Sequence, residues 1–583
     1  MVINKPSEGQ RQPTRNMPQR PRPTGTSSSS ESRRVVDFIQ TLQADLGDLE
    51  QYYNISISTR RNERLQRYVA EKIHELEVDF AFADLNHDAR VDWLLTHSWS
   101  HRRLTDLMAE EARIEKMYSL LRPWSYSLVL MCEQRQDVRP IDPKLAAQTL
   151  SIAARNIDIL EGKIQEGKVT LPSRDLDKST AYHAASIVEE MQSHMLEWFN
   201  FYNDYDPMFS WWCRQPWEEL YPSKFEGLAA AIREHLVGIC PGNKDAIIGQ
   251  PSGRESILAD LKHERIAYAP EELIRIGEKE YAWCLKEVIK TSKELGYGPD
   301  WRAALDYVRT LHPEPGQQRY LVHDLAKEAV DYIKKCDMVT IPRIADETWR
   351  TLMMSPERQK VAPFFLGGES ILVSYPTSKM SHEDKTMIMR ANSKQFSRST
   401  VFHELIPGHH LQYHYISRYN THRTSLSSTP FWTEGWSFYW EMILWDRGFP
   451  DTPEYKMGML FWRMHRALRI IFSLKFHLGK MSPQDCIDML VTDGGHERAT
   501  AEGEVRRSFN GDWPPLYQAG YGVGALQLYA LRRELVETGN MADKEFHDRI
   551  LKGNSMPIEF VRALLKSEEL DADHQPSWRF YDL

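Results

Sequence analysis

Residues 35–53 read VVDFIQTLQADLGDLEQYY, with Val36, Ile39, Leu42 and Leu46 three and four positions apart. That spacing lines one side of a 3.6-residue helix, whereas a half-buried strand would need strict alternation. The same texture recurs in RLQRYVAEKIHELEVDFAFADL, RRLTDLMAEEARIEKMYSLL, AYHAASIVEEMQSHMLEWFNFY, PEELIRIGEKEYAWCLKEVIKTSKELG and VHDLAKEAVDYIKKC. No fixed period relates these stretches, so bundled helices are expected rather than a solenoid. Two segments differ: DMVTIPRI (337–344) and APFFLGGESILVSYP (362–376) are short, β-rich and broken by Gly and Pro. The expected fold is therefore mainly α, a large helical body with a small β-sheet beside the active-site cleft.

A chain of 583 residues with 41% hydrophobic content can bury a large core, spread over more than one nucleus. Its net charge of −9, with basic and acidic residues interleaved, predicts neither a nucleic-acid nor a membrane partner. No uncharged apolar run approaches the ~20 residues needed to span a bilayer. The six cysteines form no CxxC pair, which argues against a thiolate zinc site and a disulfide framework; they read as ordinary buried thiols. A cytoplasmic location follows as the expectation. Residues 1–33, rich in Pro, Ser, Arg and Gln, read as a disordered tail. Residues 34–330 are expected to form an N-terminal helical lobe and 331–583 a catalytic half, within one continuous body.

The chemistry concentrates in STVFHELIPGHHLQYHY (399–415). In a regular HExxH helix, histidines at i and i+4 grip one zinc ion while the adjacent Glu addresses its water. Here position i+4 is Pro407, followed by Gly408. A residue without an N–H, followed by a permissive one, predicts a local break, and two inserted residues bring His409 to the vacant place. On an unbroken helix His410 would lie two turns from His403, about 10 Å away, too far to share an ion. A carboxylate from a second helix should complete the set. TPFWTEGWSFYWE (429–441) offers Glu434, with Glu441 two turns later on a similar face. The expected ligands are His403, His409 and Glu434, with Glu404 as general base. Glu441 and His410 are expected in supporting positions, Glu441 orienting a ligand histidine. His414 and His422 read as solvated or supporting histidines. Two imidazoles and one carboxylate suit Zn2+, one ion per chain, although manganese or cobalt could substitute.

HELIPGHHLQ followed by EGWSFYWE resembles the DUF885 family, with its HExxPGHH and EGW motifs, and through it the gluzincin metallopeptidases. The resemblance is close over roughly residues 363–535 and looser over the rest of the folded chain. It implies a helical, metallopeptidase-like fold with a substrate cleft over a small sheet. PLYQAGYGVGALQLYALR (515–532) is similar to a family stretch with a Gln-Ala-x-x-Tyr-x-x-Gly core, though shifted in local detail, with Tyr521 taking the family's tyrosine position and Tyr517 its nearest competitor. Such a phenol can stabilise a developing oxyanion. RALRIIFSLKFHLG (466–479) resembles a segment that ordinarily reads Arg-x-x-x-Asp-x-Gly-x-His. Arg469 and His477 are kept, while Ser473 and Lys475 replace the Asp and Gly. His477 is thus a candidate catalytic residue or simply a helix histidine.

The expected function is zinc-dependent hydrolysis of amide or peptide bonds in short peptides or small amides. One alternative is a zinc lyase, cyclising or rearranging enzyme acting on a small metabolite; a second is an inactive binding scaffold.

Overall fold

A computed structural model describes residues 27–169, 177–240, 243, 246–355, 359, 368, 370–511 and 513–583. Helix α1 (Ser27–Tyr52) begins inside the stretch expected to be a tail to residue 33, and residues 1–26 lie outside the described residues. It packs with α2 (Thr59–Asp79) and α3 (His87–Lys116), burying Val35, Phe38, Ile39, Leu42 and Leu46. The stripe is rotated by one residue from that expected at its start, since Val35 is buried and Val36 only half-buried. Side-chain acceptors start these helices: Ser58 accepts from the Arg61 amide, and Asn86 from that of Ala89.

Helices α4 (Tyr118–Gln136), α5 (Pro143–Gln165), α6 (Lys178–Tyr202), α7 (Pro207–Leu220) and α8 (Ser223–Ala231) close around a core of their own, from Trp124 through Trp198 to Phe225. The chain then returns through α9 (Arg254–His263), α10 (Pro270–Glu294), α11 (Trp301–Thr310), α12 (Gln318–Lys335) and α13 (Arg343–Thr348). Strand β1 (Arg350–Met353) pairs in parallel with β2 (Ser370–Val373), Arg350 opposite Ser370 and Met353 opposite Val373. One expected strand therefore forms within 362–376. The other does not form at 337–344. There Met338 and Val339 are spent in the largest core, Thr340 bonds Asp548 through both its amide and its hydroxyl, and Pro342 precedes α13.

The remaining helices are α14 (His382–Ala391), α15 (Lys394–Glu404), α16 (His409–Ile416), α17 (Pro430–Asp446), α18 (Pro453–His477), α19 (Pro483–Thr492), α20 (Arg498–Phe509), α21 (Tyr517–Arg532), α22 (Asp543–Gly553) and α23 (Ile558–Lys566). The largest core joins α1–α3 to α17 and to α21–α23. A boundary near residue 330 does not coincide with the cores, because residues 35–107 pack with the C-terminal half, while those of α4–α8 pack among themselves. Ile371 and Val373 of β2 pack on Val401 and Leu405, so the sheet backs the end of α15.

Helices α17 and α21 touch backbone to backbone. A Cβ on Gly435 would stand 2.7 Å from the Gly524 carbonyl carbon, and one on Gly524 would stand 2.0 Å from the Phe431 oxygen. Only glycine permits that approach. It brings Glu434 beside the first turns of α21. Among the described residues, no helix is long and apolar enough to cross a membrane. All six cysteines are free thiols; four are buried, but Cys240 and Cys336 are exposed, contrary to expectation.

Candidate metal centre

Helix α15 stops at Glu404 and α16 starts at His409, with Leu405–Gly408 making an excursion between them. The Gly408 amide reaches back to the Phe402 carbonyl at 3.1 Å, and a Cβ on Gly408 would sit 1.8 Å from the His403 carbonyl oxygen. The Pro407 carbonyl is held by the Trp436 indole at 2.8 Å. The break turns two successive helices so that His403 and His409 converge on Glu434 from α17, which starts with Thr429 as cap and Pro430 in its first turn.

The convergence is tight. His409 Nε2 lies 3.2 Å and His403 Nε2 3.6 Å from the same oxygen, Glu434 Oε2. In a tetrahedron with bonds of about 2.0–2.1 Å, neighbouring donor atoms stand about 3.3 Å apart, close to both of these distances, and all three atoms lie within 4.8 Å of one another. Both rings are fixed from behind. His403 Nδ1 donates to Glu441 Oε1 at 2.8 Å, and His409 Nδ1 to Gln412 Oε1 at 3.1 Å. Gln412 in turn donates to the Trp432 carbonyl at 3.3 Å. These bonds orient each ring so that its Nε2 points at the centre. Tyr517 donates to the other Glu434 oxygen, Oε1, at 2.5 Å.

The electrostatics ask for positive charge at this point. Burial by itself raises the Glu434 carboxyl, but the facing His409 and His403 overcome it and hold Glu434 well below the usual range. Burial likewise lowers His403, and Glu434 and Glu441 reverse it, pushing the imidazole up to about 9. Each partner thus favours a cation between them, and the donor set fits a divalent ion of zinc type. Glu404 lies next to the cluster, with burial raising its carboxyl and His403 and His409 opposing.

The remaining candidates separate. The Tyr521 ring stacks on His403 at 6.3 Å, under the guanidiniums of Arg466 and Arg469. Its hydroxyl has no hydrogen-bond partner among the described residues, whereas that of Tyr517 is committed to Glu434. His410 Nε2 lies 2.9 Å from the Ala345 carbonyl, bracing α16 on α13 rather than serving beside a ligand through that nitrogen. His477 is not brought into the cluster. It lies eight residues beyond Arg469, about 12 Å along α18, with Nδ1 3.3 Å from Ser252 Oγ and its ring against Phe509. Burial pushes its imidazole down to about 4. His422 is structural: it bonds buried Asp92 at 3.1 Å.

Sequence reasoning missed Gln412 and the contact of Tyr517 with Glu434. Gln412 carried a usable signal, three residues after His409. A second grouping that could hold an ion, Glu77 with His97 and His101, is more exposed; the i, i+4 histidines on α3 were legible, but the approach of α2 was not.

Fold and site together define a mainly helical protein with a buried His-His-Glu centre flanked by a further carboxylate. The chain belongs to the DUF885 family, described as bacterial protein of unknown function, which matches residues 42–565. The comparison with curated proteins finds no match. Among solved structures, a protein from Shewanella oneidensis, provisionally described as a lipoprotein of unknown function, is 16% identical with a TM-score of 0.64, covering 93% of this chain and 100% of its own. A protein from Colwellia psychrerythraea, provisionally described as a lipoprotein, is 15% identical with a TM-score of 0.58, covering 93% and 99%. At these identities the likeness is one of fold.

Proposed function

We propose that this protein is a zinc-dependent hydrolase of amide or peptide bonds in short peptides or small amides. The observation that carries the reading is the placement of two imidazole nitrogens 3.2 and 3.6 Å from one carboxylate oxygen, each ring pinned through its other nitrogen. Zinc held there would polarise a carbonyl and acidify water. Glu404 takes a proton from the attacking water and returns it to the departing nitrogen as the C–N bond breaks. Burial raises its carboxyl against His403 and His409, the direction that makes a carboxylate a stronger base. Tyr521, with an uncommitted hydroxyl, donates to the developing oxyanion, while Tyr517 orients Glu434.

The lyase alternative draws on Ser473 and Lys475, the two departures from the family segment, and neither addresses the centre. Ser473 bonds the Arg469 carbonyl of its own helix at 2.6 Å, and Lys475 pairs with Glu278 at 2.9 Å. A cytoplasmic setting stays part of the proposal, although the two structural neighbours are themselves described as lipoproteins.

The test is metal content by mass spectrometry, made in a His97→Ala background so that the exposed cluster contributes no ion. About one zinc per chain is expected, lost in His403→Ala, His409→Ala and Glu434→Ala but kept in His410→Ala. Cleavage of a dipeptide library should require Glu404 and vanish in Glu404→Gln with zinc retained. A wild-type chain purified without chelators that carries no metal would sink the reading.

A further inference from the structure

Beside the centre, α18 and α20 bury more cationic side chains than they neutralise. Arg466, Arg469 and Glu504 are each less than a tenth exposed. Glu504 is shared: Arg469 Nε donates to its Oε1 at 2.6 Å, and Arg507 Nε stands 3.0 Å from its Oε2. Among the described residues the one carboxylate contact of Arg466 is long, 3.8 Å from Nη2 to Glu441 Oε1, and that oxygen already accepts from His403. Arg466 Nε and Arg469 Nη1 are buried without a hydrogen-bond partner among the described residues. The two guanidiniums lie 4.7 and 4.4 Å from the centre of the Tyr521 ring, which itself stacks on His403.

A buried guanidinium with unmade bonds is costly, and a structural role would ordinarily be met with a full carboxylate partner. Burial, with Arg469 next, pulls the Arg466 guanidinium below its ordinary value, so the pocket itself does not compensate it. The nearby histidines add no charge, since burial holds His465 well below its usual range and His496 at about 3. Around this pocket the carboxylates of Glu504 and Glu441 face the three guanidiniums of Arg466, Arg469 and Arg507. One positive charge is left over, which matches a singly charged carboxylate better than a phosphate dianion.

We propose that Arg466 and Arg469, beside Tyr521, form a subsite for one carboxylate of the substrate, so that the amides or peptides taken are those carrying a free carboxylate near the scissile bond. The inference rests on the hydrolase reading and narrows its substrate class. Arg466 supplies the uncommitted charge. Arg469, anchored by Glu504, presents Nη1 alongside it, and the ring of Tyr521 holds both planes in place.

Two probes separate this subsite from the metal. The monohydroxamate of succinic acid and its counterpart with the distal carboxylate converted to a primary amide anchor on the ion through the same group, and differ only at the far end. Calorimetry on the zinc-loaded wild-type chain is expected to show the acid binding about ten- to hundredfold tighter than the amide, the range of a charge-assisted hydrogen bond. In Arg466→Met the preference falls to near unity, with the affinity for the amide form kept within about twofold; Arg466→Lys retains part of it. A merely structural arginine would weaken both probes equally. Equal affinity in the metal-loaded wild type, or a preference untouched in Arg466→Met, overturns the subsite and leaves the hydrolase reading standing. A chain that holds no zinc and binds neither probe overturns both.

Discussion

At the scale of single residues, the His-His-Glu cluster depends on bonds one step removed from it. Glu441 fixes the tautomer and orientation of His403, so Glu441→Gln, which keeps the volume but loses the charge, should weaken zinc binding by about 10–100-fold. Competition with a chelator of known affinity measures this, and unchanged affinity would show that packing alone orients the ring. Tyr521→Phe removes a phenol whose hydroxyl has no other use among the described residues. Its kcat should fall by about 100-fold or more with little change in KM, since the donor acts only as charge develops. If Tyr517→Phe produced that signature instead, the two tyrosines would exchange roles.

At the scale of elements, two glycines decide where the ligands stand. The contact of α17 with α21 leaves no room for a methyl group on Gly524, which would meet the Phe431 carbonyl oxygen at 2.0 Å. Gly524→Ala should therefore cost about 3 kcal/mol, read as a lower midpoint in urea with an unchanged slope. Gly408→Ala acts differently. Its methyl would collide with the His403 carbonyl oxygen, and relief requires moving the turn that positions His409. The expected result is a larger loss of zinc than of helix content, compared by metal analysis and circular dichroism on one preparation; full zinc occupancy would refute it.

At the scale of the whole molecule, α3 is tied to the segment before α17 by a buried cluster. Arg423, 1% exposed, donates to Asp92 Oδ1 at 2.6 Å, while His422 contacts Asp92 Oδ2 at 3.1 Å. Burial raises the Asp92 carboxyl, but Arg423 and His422 outweigh it and the net direction is down. A carboxyl lower in the folded than in the unfolded state contributes stability above its unfolded value near 3.9, and that contribution is lost as pH falls through the folded value. Asp92→Asn should thus be destabilised at pH 7 by about 3–5 kcal/mol, because Arg423 loses its counter-charge, and should lose less than wild type on acidification. Urea melts of both chains between pH 7 and pH 3 test the sign; parallel curves would contradict it.

The sequence by itself determined the helical class, because three- and four-residue spacing of apolar side chains is a local property of each segment. It also pointed to the three side chains that the fold brings together. His403, His409 and Glu434 followed from the residue types and from the break that Pro407 and Gly408 impose, all of which act over a few residues. Register and partnership needed the tertiary structure. Whether Val35 or Val36 leads the buried stripe of α1 depends on what that helix packs against, and the place of β1 depends on Met338 and Val339 having a core to enter. The cores join residues hundreds of positions apart, so no boundary near 330 could be drawn or refused from local composition. The same holds around the centre: Gln412, Tyr517, Arg466 and Arg469 acquire their roles only where α16, α18 and α21 meet α17, since a hydrogen bond or an uncompensated charge is a property of the neighbours that folding supplies.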